Sequence, residues 1–270
     1  MKNLVLIALV FLLQIRGVAQ NLIPNGSFEG YTTCPTGYAQ VNNVLSWRAY
    51  NSSPDYLNAC FPGTSGPDVP TNAFGWQHAA DGNAYVGFVA YAGTTSTFRE
   101  YVATTFSPMT IGLTYKISMS VSLGNVSKWG TDNLGVWFYD NGPATVTGST
   151  LLSNTPQVNF AAAGAITDTQ NWVRVTAFFT PDSSYDNLVI GGFYPISSTT
   201  ATQISTAGSY AYYFIDSVVV ELSSGINNLY TDSMICAGDT FVVPYTLNNS
   251  ALFTSTNVFS VQLSNSSGSF

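Results

Sequence analysis

Apolar and polar side chains alternate along several short segments of this chain, as they do in β-strands that bury one face. The plainest case is 113–123, in which Tyr115 and Ile117 alternate with Lys116 and Ser118. This pattern predicts a strand with one buried face and one wet face. Aromatic and β-branched residues, separated by Gly, Pro, Asn and Asp, predict strands at 83–92, 98–106, 113–123, 133–140, 171–180, 187–194 and 212–222.

The strand pattern predicts an all-β fold. About eight antiparallel strands over roughly 200 residues are typical of a jelly-roll β-sandwich, and no amphipathic helix is predicted after residue 20. Residues 31–80 differ, because they are rich in Pro, Gly, Asn and aromatic residues and have weak periodicity. Loops of this length are usually functional or disordered, and the aromatic residues favour an ordered one.

Residues 1–20 have the features of a secretory signal peptide. Lys2 supplies a positive charge, residues 4–13 are apolar, and Gly17-Val18-Ala19 is a small-residue cleavage site. The mature chain is therefore predicted to begin at residue 20 or 21 and to be exported. No later apolar run is long enough to cross a bilayer, so membrane insertion is not expected.

The mature chain is strongly acidic. The sequence has 7 Lys and Arg against 14 Asp and Glu, and loss of Lys2 and Arg16 with the leader changes the formal charge from −7 to −9. Nucleic acids and anionic membranes require clustered basic residues, so neither is an expected partner. Only 8% of the residues are charged. The surface is then rich in hydroxyl, amide and aromatic groups, which also suit sugars.

The three cysteines suggest one disulfide within the chain. In an oxidising compartment, Cys34 and Cys60 are close enough in sequence to bridge one long loop region. Cys236 is then left over, and we expect it to pair with a residue beyond the end of this chain.

A second β-region is predicted after the jelly roll, which we place at 21–222. Ser223-Ser224-Gly225 begins a linker at 223–229, and a strand pattern restarts in 230–270. About forty residues seldom form a stable β-domain alone, so this segment is interpreted as the start of a truncated sandwich.

Several motifs carry a family resemblance. "NLIPNGSFE" near the start, "SPDYLNAC" at 53–60, "VPTNAFGWQHAADGNAYVGF" at 69–88 and "YFIDSVVV" at 213–220 occur in that order. The set resembles the carbohydrate-binding-module-like (galactose-binding-like) jelly roll at the N-terminus of gliding-motility-associated, type IX-secreted bacterial surface proteins. The segment 230–270 resembles the opening of an Ig-like repeat found in the same proteins.

The resemblance implies a structural calcium ion where the first and last strands of the jelly roll lie side by side. Carried over by position, Glu29 and Asp216 supply the carboxylates, and main-chain oxygens near Asn25 and Ser27 assist. Independently of the resemblance, Asp216 lies in the apolar run 214–220, where an unpaired carboxylate is costly. The alternative is that Asp216 accepts backbone N–H bonds or marks the end of a strand.

Candidate ligand-binding residues are aromatic and polar side chains in predicted loops. The C–H face of a sugar packs on an aromatic ring, and nearby polar groups bind its hydroxyls. Six residues of these two kinds are candidates: Trp129, Trp76, Tyr56, Gln77, Arg99 and Glu100. We expect Trp129 to be the most exposed, because Lys128 and Asp132 flank it in a turn-rich stretch. The alternative for each Trp is packing in the core.

Signals of catalysis are weak. His78 is the only histidine, no Gly-x-Ser-x-Gly stands between a strand and a helix, and a zinc site would need more His or Cys. A glycoside hydrolase would need two acids, drawn from residues such as Asp55, Asp81 and Glu100, to face each other in a cleft.

The sequence therefore predicts a secreted, non-catalytic module that binds a glycan or another cell-surface polymer in adhesion or surface display. It is expected to be extracellular, with association to the cell surface. A structural spacer without a small ligand is the first alternative, and a carbohydrate-active hydrolase is the second. Exposed loop aromatics would favour the binding module, and packed ones would favour the spacer.

Overall fold

The fold is an all-β sandwich. A computed structural model describes residues 20–63 and 65–223, together with the backbone of two short strands at 226–228 and 245–247. The predicted signal peptide up to residue 19, linker residues 224, 225 and 229, Cys236 and the Ig-like segment apart from the strand at 245–247 lie outside the described residues. Those predictions stay predictions.

The regular elements are short. In chain order the strands are β1 (Trp47–Asn51), β2 (Asp55–Asn58), β3 (Thr71–Asn72), β4 (Gly75–Trp76), β5 (Ala84–Tyr91), β6 (Tyr101–Thr105), β7 (Tyr115–Leu123), β8 (Trp129–Thr131), β9 (Leu134–Tyr139), β10 (Val158–Asn159), β11 (Val173–Phe179), β12 (Asn187–Gly192), β13 (Ala201–Gln203), β14 (Ala211–Leu222), β15 (Ile226–Asn228) and β16 (Tyr245–Leu247). Single 3₁₀ turns occur at Val41–Asn43, Ala161–Ala163 and Ile196–Ser198. Within the described part of the chain, no helix is long and apolar enough to cross a membrane.

Two antiparallel sheets of five strands form the sandwich. Sheet 1 has the order β1-β6-β12-β9-β10, and sheet 2 has the order β11-β7-β14-β5-β2. Neighbours in each sheet are mostly distant in sequence, as in a jelly roll. The predicted class of antiparallel jelly-roll β-sandwich is confirmed.

The main core lies between the sheets and follows the alternation of the strands. Val86 and Phe88 of β5 belong to one buried cluster with Val102 of β6 and Leu188 and Ile190 of β12. Burying such side chains stabilises the fold by about 1.5–3 kcal/mol each relative to exposure.

The outer face of sheet 2 is also buried. Tyr85, Val89, Tyr212 and Phe214 have the opposite parity on β5 and β14 and form a second cluster. Tyr38, Phe74 and Trp172 are among the side chains that pack against this cluster. The aromatic segment 31–80 is therefore ordered because it covers one face of the sandwich.

This covering corrects one expectation from the alternation. The serine face of β7 is buried, with Ser118 and Ser122 at 0% exposure. Arg174 donates hydrogen bonds to the hydroxyls of Ser118 (2.7 Å) and Ser120 (3.4 Å), and the Gln77 amide is hydrogen-bonded to Ser122 at 3.2 Å. The expectation of a wet face is wrong, because polar side chains from other segments satisfy the hydroxyls.

The predicted strands are present, each within a few residues of its expected bounds. The strands β1 and β2 were not expected, because they lie in the aperiodic segment 31–80. The burial of β2 does not alternate, since all four of its residues are buried. Cys34 and Cys60 form the predicted disulfide, with a Cα–Cα distance of 5.9 Å.

The N-terminal segment is fixed to the last strand of the jelly roll. Leu22 N–H donates to the Val220 carbonyl (2.8 Å), and Val218 N–H donates to the Gly26 carbonyl (2.9 Å). The Asn21 side chain also donates to the Val218 carbonyl and accepts from Val220 N–H. These bonds place Glu29 and Asp216 on the same side of the molecule as the segment that follows residue 79.

Candidate functional site

Most of the predicted ligand-binding residues are buried. Tyr56 and Arg99 are at 0% exposure and Gln77 is at 3%. Tyr56 lies in β2 and donates its hydroxyl to the Phe28 carbonyl at 3.0 Å. All three residues are therefore buried instead of lying in open loops as expected, and their contact with a ligand stays a prediction.

The two predicted tryptophans behave differently from expectation. Trp129 begins β8 and is half-buried against the core, with its ring 6.2 Å from that of Tyr91. The expectation that Trp129 is the most exposed is therefore wrong. Trp76 is 52% exposed and makes an edge contact with the ring of His78, 4.8 Å between centroids.

A groove on the outer face of sheet 2 gathers aromatic side chains that sequence reasoning did not single out. It consists of two adjoining clefts of about 450 and 300 Å³, which share Phe74, Tyr210 and Tyr212. We call this surface the aromatic groove. Its larger cleft is otherwise lined by small and polar residues, among them Asn125 and Ser127.

The β3–β4 hairpin holds one side of the aromatic groove. Phe74 lies at the turn of this hairpin and stacks flat on Tyr212, with 3.6 Å between centroids and 3° between planes. The Phe74 carbonyl accepts Val126 N–H at 3.3 Å, and Trp76 N–H donates to the Asn125 side chain at 2.7 Å. The hairpin is therefore fixed to the loop after β7, and Phe74 is held in place before any ligand arrives.

The smaller cleft contains two carboxyl groups, Asp55 and Glu100. Each residue is 4% exposed, and both line the cleft with Tyr38 and Phe98. The Asp55 carboxylate accepts hydrogen bonds from Ala39 N–H and the Tyr212 hydroxyl, both at 2.6 Å. Burial raises the pKa of Asp55 to about 6, because it disfavours the charged form more than the two bonds favour it.

Glu100 is held in the same manner. Its carboxylate accepts Val89 N–H at 2.9 Å and the Ser53 hydroxyl at 2.8 Å, and burial raises its pKa. The negative charge of Glu100 also raises the pKa of Asp55, so the two groups sense each other's charge. Of the six predicted ligand-binding residues, Glu100 lines the smaller cleft, and Trp76 is exposed but lines neither cleft.

Gly87 makes the carboxylate arrangement possible. It pairs with Asp55 between β5 and β2, and a Cβ atom at Gly87 would overlap the Tyr212 hydroxyl. The absence of a side chain therefore lets Tyr212 cross β5 and donate to Asp55. No signal in the sequence distinguishes this glycine from others in the strands.

Arg99 precedes Glu100 but does not neutralise it. Its guanidinium lies over the ring of Tyr91, 5.0 Å from the centroid, and donates to the Phe98 carbonyl at 2.7 Å. Burial lowers the pKa of Arg99. Neither cleft of the aromatic groove has a Lys, Arg or His among its lining residues.

Glu29 and Asp216, the predicted calcium ligands, both bind one loop. Glu29 accepts the N–H groups of Asn83 and Ala84, each at 2.8 Å. Asp216 accepts those of Ala80 (2.8 Å) and Asp81 (2.9 Å). The alternative weighed from the sequence, that Asp216 accepts backbone N–H bonds, therefore describes its contacts here.

The Asp216 carboxylate is fully buried and lies at a bulge. Ser217 has φ +52° and the register of β14 shifts between Asp216 and Val219, which turns the carboxylate toward the loop. Burial raises its pKa to about 7, although three backbone N–H bonds act in the opposite direction. Lys116 and Glu221 form the one ion pair found among the described residues, so Asp216 has no ion-pair partner among them.

The other predicted calcium residues have local roles. The Asn25 side chain donates to the Gly30 and Leu45 carbonyls, and the Asn25 carbonyl accepts from the Trp47 indole at 3.0 Å. Ser27 is half-buried next to Phe28. The oxygen donors suit a hard cation, but both carboxylates already accept peptide N–H bonds. In the described part of the chain, no three His, Cys, Asp or Glu side chains are grouped.

A second aromatic surface lies on the outer face of sheet 1. Trp137 and Tyr139 of β9 are stacked, with 4.7 Å between centroids, and both are partly exposed. The Arg48 guanidinium donates to the Tyr139 hydroxyl at 2.8 Å. Ala144 and Leu152 pack, like Trp137 and Tyr139, against a buried cluster that includes Tyr50 and Tyr101. The chain after β9 therefore covers part of this face.

Comparison with known proteins gives distant structural similarities only. No protein-family model matches the sequence, and no curated protein matches it. The CBM22-1 xylan-binding domain from Paenibacillus barcinonensis Xyn10C is 12% identical with a TM-score of 0.38, over 76% of this chain and 95% of that one. A structure described as "CBM4 structure and function" is 18% identical with a TM-score of 0.35, over 74% of this chain and 99% of that one.

The enzymatically active domain of tailspike protein 4 from bacteriophage CBA120 is 12% identical with a TM-score of 0.35. The match covers 75% of this chain but only 21% of the tailspike chain. At these identities and TM-scores, the similarities carry no argument about a ligand or an activity.

Proposed function

We propose that this protein is a secreted, non-catalytic module that binds a glycan in the aromatic groove. The observation that carries the proposal is the groove itself, in which Phe74, Tyr210 and Tyr212 connect two clefts. Aromatic faces pack on the C–H faces of sugar rings, and this packing does not require charged groups. The larger cleft, about 450 Å³, falls within the usual size range of small-ligand sites, about 300–1,000 Å³.

Polar groups beside the rings support the same ligand class. Tyr210 is 42% exposed at the edge of both clefts, and Asn125 and Ser127 line the larger one. Amides and hydroxyls both donate and accept hydrogen bonds, which suits the hydroxyl groups of sugars. Because hydrogen bonds fix the hairpin that carries Phe74, little ordering is needed when a ligand binds.

A glycan-binding screen tests the proposal. The full-length secreted protein is applied to a glycan array, with Tyr210→Ala as the groove variant and Tyr31→Ala as the matched control. Tyr31 is a tyrosine of similar exposure, 39% against 42% for Tyr210, and it does not line the groove. We expect specific hits that weaken at least tenfold in Tyr210→Ala, a loss of about 1.4 kcal/mol, and persist in Tyr31→Ala. Absence of binding to every glycan would favour the spacer, and equal binding by both variants would place the site elsewhere.

Hydrolysis is a second candidate, because Asp55 and Glu100 line one cleft as a pair of acids in a glycosidase would. Both carboxyl groups are held by protein donors, which favours a structural role over attack on a sugar. Incubation of array hits with the protein, followed by measurement of new reducing ends, separates the two functions. Turnover that disappears in Glu100→Gln would establish the hydrolase and overturn the non-catalytic assignment.

Calcium binding at Glu29 and Asp216 belongs to the same proposal, as a structural rather than catalytic ion. Its support is the buried Asp216 carboxylate, which has no ion-pair partner among the described residues. The ion would use the two carboxylates and main-chain oxygens near Asn25 and Ser27, and it would fix the loop after residue 79 to the last strand. We further propose that glycan binding serves adhesion or surface display after secretion.

A further inference from the structure

We propose that the smaller cleft of the aromatic groove recognises a positively charged nitrogen, so that the preferred glycan carries a cationic amino sugar. This inference rests on the proposed glycan binding and specifies its ligand class. Five aromatic residues and two carboxyl groups line a cleft of about 300 Å³: Tyr38, Phe74, Phe98, Tyr210, Tyr212, Asp55 and Glu100.

The aromatic rings that line the cleft with the two carboxyl groups contact one another in pairs. Tyr38 meets Phe74 edge to face, 5.5 Å between centroids, and Phe74 stacks on Tyr212. Phe98 and Tyr210 form a second pair, 5.9 Å apart. Faces of several aromatic rings around one cavity attract ammonium groups through the negative potential of the rings.

The charged groups that line the cleft also favour a cationic ligand. Asp55 and Glu100 are each 4% exposed, and the cleft has no basic side chain among its lining residues. Arg99, which directly precedes Glu100 in the sequence, is directed to Tyr91 and the Phe98 carbonyl. A buried carboxylate without a counter-charge is costly, and a bound cation would relieve that cost.

The same arrangement disfavours acidic glycans. A uronic acid or sulfated sugar would bring a third negative charge next to Asp55 and Glu100, with no Lys, Arg or His lining either cleft. A neutral sugar would gain ring stacking but leave the carboxylates without a counter-charge. Among sugars, a residue with a free or methylated amine matches both the rings and the carboxylates.

Paired ligands test this inference on the full-length protein. Glucosamine oligomers trimethylated at nitrogen carry a permanent charge, and N-acetylglucosamine oligomers of the same length are neutral. Tetramethylammonium chloride is the probe for the cleft without a glycan. We expect calorimetric titration to give at least about tenfold tighter binding of the charged oligomer, together with weak binding of tetramethylammonium.

Two variants assign the effect to the cleft. In Glu100→Gln the amide can still accept Val89 N–H and donate to Ser53, so the fold is retained while the charge is lost. Asp55→Asn removes the second charge. Each variant should lose most of the preference for the charged oligomer, measured as the ratio of its affinity to that of the neutral oligomer, and an unchanged ratio in both variants would overturn the assignment to this cleft.

The outcomes separate this inference from the proposed glycan binding. Equal or tighter binding of the neutral oligomer by the wild type would overturn cation recognition and leave glycan binding in place. Binding of tetramethylammonium without binding of any oligomer would do the reverse. Failure of all three ligands to bind would overturn cation recognition and leave glycan binding to be decided by the array.

Discussion

The stability of this protein should increase as the pH falls from about 8 to about 4, the opposite of common acid denaturation. The group responsible is Asp216, whose carboxylate is fully buried at the bulge of β14. Burial raises the pKa of Asp216 from 3.8 to about 7 in the folded state. The perturbation is therefore a simple change of pH in the presence of a chelator.

The sign follows from proton linkage. Because the folded pKa lies above the unfolded one, the folded state binds the proton more tightly, and the ionised carboxylate opposes folding. The free energy of unfolding is lowest above about pH 7 and rises until about pH 4. The difference of 7 − 3.8 = 3.2 pH units, at about 1.4 kcal/mol per unit, gives about 4 kcal/mol from Asp216. Asp55, whose pKa is raised from 3.8 to about 6, adds about 3 kcal/mol in the same direction.

Calcium should reverse much of this effect if it binds as proposed. A cation at Asp216 favours the ionised carboxylate, so calcium should stabilise the protein most above pH 7 and flatten the pH profile. Urea unfolding followed by tryptophan fluorescence, at a series of pH values with calcium or with chelator, measures both effects. Asp216→Asn should flatten the profile in chelator, and Asp182→Asn, at an exposed carboxyl group, is the control.

Two outcomes of the urea titrations would contradict these expectations. A free energy of unfolding that is constant or falls between pH 8 and pH 4 in chelator would mean that Asp216 is ionised in the folded state throughout. An identical pH profile with calcium and with chelator would contradict the proposed calcium binding, but it would not contradict the raised pKa of Asp216.

Three further predictions concern particular contacts. Replacing Cys34 and Cys60 by Ser should lower the free energy of unfolding by about 3 kcal/mol, since the disulfide joins residues 26 apart; an unchanged urea midpoint would contradict this. Trp129→Ala should cost about 2 kcal/mol in urea unfolding, because the ring packs on the core, whereas a truly exposed ring would cost nothing measurable. Gly87→Ala should displace the Tyr212 hydroxyl, cost about 1–3 kcal/mol and weaken glycan binding; retention of wild-type affinity and stability would show that the hydroxyl tolerates a Cβ atom.

Much of the fold could be predicted from the pattern of the chain. Long strands such as β5, β7 and β14 have clear apolar and aromatic content, and their bounds fall within a few residues of expectation. The segment 31–80 could not be resolved into β1 and β2, because these edge strands are too short to show a clear alternation and β2 is buried throughout. The burial of the serine face of β7 could not be predicted either, because Arg174, which binds the serine hydroxyls, is distant in the sequence although its strand β11 pairs with β7.

The candidate site was harder to predict than the fold. Of the predicted ligand-binding residues, Glu100 lines the smaller cleft and Trp76 is exposed outside the groove, whereas Tyr210 and Phe98, which line the groove, were not singled out. One signal was present, since Tyr212 and Phe214 have the parity opposite to that of the core residues Tyr213 and Ile215 of β14. That parity places a side chain on an outer face, but only the tertiary fold shows that the hairpin carrying Phe74 encloses it.

The most direct test of the account is a crystal structure of the full-length protein with the tightest-binding oligosaccharide from the array. We predict a sugar ring over the exposed faces of Phe74 or Tyr210, with its polar groups toward Asp55 and Glu100. An oligosaccharide bound instead over Trp137 and Tyr139, on the outer face of sheet 1, would contradict the assignment of the aromatic groove as the binding site.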